Sequence, residues 1–153
     1  MKNKFTFTVP RERQIRMIVH ADCKNEADDQ FAIVHHLLTQ KFDVRGIIAG
    51  HFNINPQEFG VGKTCKASYD EILKVLELMD LKDKYSVYMG SEYPLENEIS
   101  PQVSEGAQFI INEAMRDDER PLFIAMQGAI TDLASAILMK PEICSRMTAV
   151  RIG

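Results

Sequence analysis

"MIVHADCKNEADDQFAIV" (residues 17–34) begins with a short apolar run and ends in an amphipathic pattern, and an acidic loop joins the two. The apolar run, Met17–Ala21, predicts a β-strand, and the period of the apolar residues after the loop predicts a helix. A strand that is apolar on both faces is typical of parallel sheets, because helices cover both sides of such sheets. This stretch therefore predicts the first half of a βαβ unit.

The same alternation continues along the rest of the chain. Apolar runs separated by helical patterns predict further strands at Val44–Ala49, Ser86–Met89, Leu122–Met126 and Ala149–Ile152. The apolar face of the first helix is predicted to contain Ala27, Phe31, Val34, Leu37 and Leu38. We predict a single α/β domain over residues 1–153, with a polar N-terminal arm over residues 1–15. Its open, mostly parallel, Rossmann-like sheet is expected to carry helices on both faces.

The composition indicates a globular protein and argues against several kinds of partner. The chain has 153 residues, of which 45% are hydrophobic and 26% charged, and its net charge is -4. Its Lys and Arg residues are scattered among acids, so no nucleic-acid-binding surface is predicted. No run of about 18 apolar residues suggests a membrane span. The three cysteines show no C-x-x-C spacing, which argues against disulfides and a zinc site and favours a reducing, cytoplasmic location.

The acidic loop carries four carboxylates, Asp22, Glu26, Asp28 and Asp29. Helix capping and the helix dipole explain one or two of them, each contributing about 0.3–1 kcal/mol. They do not explain the whole group, because carboxylates this close repel one another unless a cation lies among them or some take up protons. A hard cation such as Ca²⁺ binds about six to eight oxygens. The spacing alone leaves the capping and metal interpretations both open.

Several segments resemble the nucleoside hydrolases, the inosine-uridine-preferring N-ribohydrolases and their relatives. The D-x-D-P-G-x-D-D loop of that family is similar to "HADCKNEADD" (residues 20–29), where Asp22 matches the central aspartate and Asp28 and Asp29 match the closing pair. "VRGIIAGHFN" (44–53) resembles the second strand and its loop. "PLFIAMQGAITDLASAILMKPEI" (121–143) resembles the GPLTNLA segment, and "TAVRIG" (148–153) resembles the strand before the MGG turn. The likeness runs over nearly the whole chain from Met17, and it implies the N-terminal half of that fold.

This resemblance implies a site and a reaction. It assigns Ca²⁺ to the carboxylates of Asp22 and Asp29 and the backbone carbonyl of Gln127, and it makes Asp22 the base that takes a proton from the attacking water. It assigns the binding of ribose hydroxyls to Asp28 and Asn53. The implied activity is calcium-dependent hydrolysis of the N-glycosidic bond of a ribonucleoside or a related N-riboside. The implied partner is a small molecule that contains ribose.

Departures from the family pattern support an alternative. His20 stands where the common motif has its first aspartate, and the acidic loop is longer. The family also continues through a C-terminal half with another metal-binding aspartate and a histidine near the base, and we expect this chain to lack that half. The alternative is a catalytically incomplete fragment that binds metal or ribose, or assembles with another chain, without turnover. The apolar last strand leads us to expect a homo-oligomer.

Other patterns are weaker. A lone loop histidine such as His51 is more often solvated than a donor to a leaving group. "FGVGKTCK" (59–66) lacks the first glycine of a P-loop, since Gln57 stands there, and it lacks an upstream strand, so a turn and a helix start are predicted. A receiver-like Mg²⁺ pocket would need an aspartate after the third strand, where Gly90 follows Met89.

Overall fold

A five-stranded parallel sheet forms the centre of the computed structural model, which describes residues 7–52 and 59–152. Its strands are β1 (Ile15–Ala21), β2 (Phe42–Ala49), β3 (Val87–Met89), β4 (Leu122–Met126) and β5 (Thr148–Arg151). The spatial order is β3-β2-β1-β4-β5, and each neighbouring pair is parallel. The predicted open α/β sheet is confirmed.

Helices cover both faces of this sheet. They are α1 (Asp28–Leu38), α2 (Thr64–Leu78), α3 (Glu105–Ala114) and α4 (Thr131–Met139), and short 3-10 segments span Arg11–Arg13 and Pro141–Ser145. The helices α1 and α2 pack on one face through a core that includes Val19, Ile33, Ile47 and Ile72. The helices α3 and α4 pack on the other face through Ile18, Ile110, Ile124 and Ala136. In the ranges that the structure describes, no helix combines the length and the apolar character needed to cross a membrane.

The predicted apolar face of α1 is partly wrong. Phe31 was expected in the core, but its side chain is 76% exposed. The helix instead turns Asp29 and Ile33 inward, and both are buried. These two residues are four apart and share a face, whereas Phe31 lies midway between them in sequence and points the opposite way. Val34 and Leu37, which were also predicted, pack against the core.

The carboxyl ends of all five strands lie at one edge of the sheet, which we call the carboxyl edge. The strand β1 lies between β2 and β4, so the connections that follow β1 and β4 lead to opposite sides of the sheet. In open α/β sheets, ligands bind in the crevice at such a switch point. Asp22 follows β1 and Gln127 follows β4, and His20 is in register with Met126. The crevice therefore lies between these two strand ends.

The strand β5 lies at the outer side of the sheet and pairs with β4. All four of its residues are exposed, and the side chain of Val150 is 56% exposed. In the described part of the chain, no strand lies beyond it.

Candidate functional site

Two aspartates meet at the carboxyl edge. Asp22 directly follows β1, and Asp29 is the second residue of α1. Both side chains are buried, with 6% and 3% exposure, and they lie close enough for each to shift the pKa of the other. The side-chain amide of Asn25 donates to Asp22 Oδ2 at 3.1 Å. We call Asp22 and Asp29 the acid pair.

The acid pair lies in an environment that disfavours two negative charges. Burial raises the pKa of Asp22 above its usual value. Burial, followed by the charges of Asp22 and Asp28, raises the pKa of Asp29 to about 7. Asp29 Oδ1 is buried and has no hydrogen-bond partner in the described residues. Two buried carboxylates this close therefore favour a shared proton or a cation between them.

The turn after β4 closes against Asp22 from the other side of the crevice. The backbone amide of Gln127 donates to His20 O at 2.9 Å, which fixes this turn to β1. A Cβ atom on Gly128 would lie 2.5 Å from Asp22 Cγ. Glycine is therefore required here for the backbone of the turn to approach the carboxylate. The side-chain atoms Nε2 and Oε1 of Gln127 are buried without a partner in the described part of the chain.

The structure brings together part of the predicted site. Asp22, Asp29 and the Gln127–Gly128 turn converge, whereas Asp28 is exposed at the first position of α1. Glu26, the fourth carboxylate of the loop, is also exposed. The prediction for Asn53 lies outside the described residues. Two of the four acids thus form a buried pair, and the other two follow the ordinary preference of acids for a helix N-terminus.

The acid pair suits a hard cation, although it supplies only part of a coordination shell. Its carboxylate oxygens are the ligands that Ca²⁺ prefers, and a cation would offset both the raised pKa and the unpartnered Asp29 Oδ1. Within residues 7–52 and 59–152, no group of three or more His, Cys, Asp and Glu side chains is arranged to hold a metal ion. The remaining oxygens would have to come from backbone carbonyls, water or a ligand.

A second buried pair, which the sequence did not predict, lies behind the acid pair. His20 Nε2 donates to Asp132 Oδ2 at 2.9 Å, and the two side chains are 0% and 1% exposed. Asp132 Oδ1 also accepts from the Ser91 backbone amide at 2.9 Å and from the Ser104 hydroxyl at 2.6 Å. One carboxylate thus connects β1, the turn after β3 and the start of α3. The replacement of the motif aspartate by His20 was the one available signal for this pair.

A carboxylate lies near the N-terminus of α2. Burial raises the pKa of Glu92, and the nearby backbone amides of Cys65 and Lys66 act in the opposite direction. Gly60 and Gly62, with φ angles of 86° and 71°, form the turn that precedes this helix. The prediction of a turn and a helix start in "FGVGKTCK" is therefore confirmed.

Known proteins share this architecture. The chain resembles a purine-preferring ribonucleoside hydrolase from Gardnerella vaginalis, with a TM-score of 0.71 and 19% identity over 90% of this chain and 48% of that one. It also resembles an inosine-guanosine nucleoside hydrolase, with a TM-score of 0.60 and 19% identity over 92% of this chain and 48% of that one. A third similar structure is a nucleoside hydrolase-related hypothetical protein from Saccharophagus degradans, described as associated with carbohydrate metabolism. Its TM-score is 0.58 and its identity 17%, over 90% of this chain and 38% of that one.

These identities are low, so the likeness establishes the fold and not the activity. The chain spans about half the length of the first two structures. No curated protein sequence matches it. Residues 16–149 match the model of a family described as "Cellulose-binding Sde182, nucleoside hydrolase-like domain". Because this match covers most of the sequence, the chain belongs to the family of Sde182 nucleoside hydrolase-like domains.

Proposed function

We propose that the protein hydrolyses the N-glycosidic bond of a ribonucleoside or a related N-riboside, with Ca²⁺ held at the acid pair. The observation that carries this proposal is the burial of Asp22 and Asp29 together at the switch point of a nucleoside hydrolase-like sheet. A structural role does not require two carboxylates to share one buried position, because like charges there oppose folding. Carboxylates with strongly shifted pKa values are common at catalytic sites.

The reaction needs water to attack the anomeric carbon while positive charge develops on the sugar ring. In this proposal Asp22 accepts the proton of the attacking water, which requires hydrogen-bond reach of that water. Asp29 and the backbone carbonyl of Gln127 would hold the cation next to it. When bound, Ca²⁺ would supply positive charge that favours deprotonation of water and orients sugar hydroxyls. Asp28, exposed beside the pair, would bind hydroxyls of the ribose, and Asn53 stays a prediction for the same task.

The test is release of ribose and free base from a panel of ribonucleosides by the full-length protein. We expect cleavage with Ca²⁺ present, loss of cleavage with a chelator, and recovery when Ca²⁺ is restored. Cleavage that persists at the same rate after thorough chelation would remove the metal from the proposal. A complete lack of cleavage across the panel with Ca²⁺ present would overturn the proposed activity.

A second candidate function is sugar binding without turnover. It is favoured by the family description, which calls Sde182 cellulose-binding, and by the convergence of only two of the acids. Calorimetric titration with ribose and with cello-oligosaccharides, in the presence of Ca²⁺, distinguishes the two candidates. Saturable binding without product supports the second function. A single domain over 1–153, self-association through the last strand and a cytoplasmic location stay predictions.

A further inference from the structure

We propose that His51 is the proton donor to the leaving group of this reaction. The inference rests on the proposed hydrolase function and assigns a role that the acid pair cannot fill. When the glycosidic bond breaks, its electron pair goes to a nitrogen of the base, and a donor that protonates this nitrogen speeds departure by about 10²–10⁴-fold. The acid pair acts on the water side of the sugar, so the proton for the base must come from another group.

The sequence favoured a solvated His51, but its side chain is only 7% exposed. The residue lies two positions after β2, at the carboxyl edge. Its Nδ1 donates to the backbone oxygen of Ser91 at 3.1 Å, which fixes the orientation of the ring. The other ring nitrogen, Nε2, has no hydrogen-bond partner within residues 7–52 and 59–152. Among the described residues, His51 therefore uses one ring nitrogen to orient the ring and leaves the other without a protein partner.

The group that orients His51 is itself held in place. The backbone amide of Ser91 donates to Asp132, and Asp132 is bound by His20. Ser91 is thus fixed through its amide on one side and through its oxygen on the other. In this arrangement the buried His20–Asp132 pair holds the turn at Ser91, and Ser91 in turn positions His51.

The position of His51 relative to the acid pair fits a substrate placed across the crevice. The strands β1 and β2 are neighbours, with Ala21 in register with Ala49, and the Gly50 amide donates to Ala21 O at 2.8 Å. Neighbouring strands lie about 4.8 Å apart. A sugar above Asp22 would therefore have its base within reach of the adjacent strand end.

The other histidines are unsuited to this role. The chain has four histidines, and all are described. His20 is fully buried against Asp132, His35 is exposed on α1, and His36 bonds to Ala32 O within the same helix. A carboxylate also lies near His51: burial raises the pKa of Glu92, and the charge of His51 acts in the opposite direction.

The proposed step balances as follows. The C–N glycosidic bond breaks, its electrons pass to the base nitrogen, and the proton on His51 Nε2 moves to that nitrogen. Water adds to the anomeric carbon, and its proton moves to Asp22. The products are free ribose and the neutral base, and exchange with solvent returns the proton from Asp22 and restores the proton on His51.

Two substrates distinguish a proton donor from a structural residue. Inosine has a poor leaving group that needs a proton, whereas p-nitrophenyl riboside releases a stable anion that does not. We expect His51→Gln to lower kcat on inosine by about 10²–10⁴-fold and kcat on p-nitrophenyl riboside by less than about tenfold. Glutamine retains an amide that can donate to Ser91 O. His35→Gln is the matched control and should cleave both substrates like the wild type.

Each result leads to a different conclusion. Equal losses of His51→Gln on both substrates, or no loss on inosine, would overturn the role of His51 while leaving the hydrolase function intact. Failure of the wild type to cleave either substrate would overturn the proposed function itself. If His51→Gln and His51→Asn both fail to fold, a series of aryl ribosides on the wild type decides. If the cleavage rate falls steeply as the pKa of the leaving group rises, no proton donor assists departure. If the rate is nearly independent of that pKa, a proton donor is supported.

Discussion

His20 and Asp132, separated by 112 positions in the chain, form a 2.9 Å hydrogen bond in the interior, where neither side chain is more than 1% exposed. Burial alone raises the pKa of Asp132, but the hydrogen bond and charge of His20 outweigh it and lower the pKa below its usual value. The carboxylate therefore stays ionised at neutral pH. It joins segments that are distant in sequence around the candidate site.

We expect Asp132→Ala to destabilise the protein by about 3–5 kcal/mol, because it leaves His20, the Ser91 amide and the Ser104 hydroxyl without their shared acceptor. Asp132→Asn should destabilise it less, since the amide oxygen can still accept from two of these donors. Denaturant unfolding of both variants measures the difference. Equal stability of Asp132→Ala and the wild type would contradict the view that this carboxylate holds the fold together.

Gly128→Ala should reduce activity by about 10²-fold, because the new methyl group would lie 2.5 Å from Asp22 Cγ and would displace the carboxylate. Global stability should change little, since the Asp22 side chain can turn away. The measurement is kcat beside the thermal unfolding midpoint of the same preparation. A variant with full activity would mean that the position of Asp22 is not critical.

The metal-free protein should lose stability as the pH rises from about 4 to about 7. The pKa of Asp29 is raised from 3.8 to about 7, so the folded state holds a proton in this range that the unfolded state releases. The stabilisation is complete below the unfolded pKa and disappears as the pH passes the folded pKa. The raised pKa of Asp22 acts in the same direction. Thermal unfolding in a chelator, followed across this pH range, measures the slope.

Ca²⁺ should stabilise the protein more above about pH 7 than below about pH 5, because protons compete with the cation for the acid pair. The increase in unfolding midpoint on adding Ca²⁺ at each pH measures this effect. Asp29→Asn should remove it, whereas Asp70→Asn, at an exposed acid on α2, should retain it. A Ca²⁺ effect that survives in Asp29→Asn would locate the bound ion elsewhere.

Asp22→Asn should lower kcat by about 10²–10⁴-fold on ribonucleosides, because the amide cannot accept the proton of water. The amide occupies nearly the same volume, so the fold should be kept. Steady-state kinetics on the best substrate of the panel tests this, with Asp70→Asn again as control. A variant with normal kcat would exclude Asp22 as the base.

The strands and the two aspartates of the acid pair could be predicted from the sequence because each is marked by residues close together in the chain. The strands are continuous apolar runs, and Asp22 and Asp29 are close in sequence, one directly after β1 and the other in the first turn of α1. Phe31 was misplaced because apolar character alone does not fix the rotation of a short helix. The helix instead places Asp29 and Ile33 on its buried face.

The role of Asp132 and the burial of His51 could not be predicted in the same way. Asp132 lies in an ordinary amphipathic helix, and its contact with His20 exists only once β1 and β4 are adjacent. His51 stands in an irregular connection, where no period indicates burial. Both depend on the order of the strands, and that order is determined by contacts between residues distant in sequence.

The exposed strand β5 lies at the outer side of the sheet and could pair with a further strand. Its outward amides and carbonyls form a ladder that an incoming extended segment can join. A segment that aligns parallel to β5 would place its carboxyl end at the carboxyl edge, whereas an antiparallel segment would place its amino end there instead. The polarity of attachment would thus decide which end of the added segment lies at the carboxyl edge.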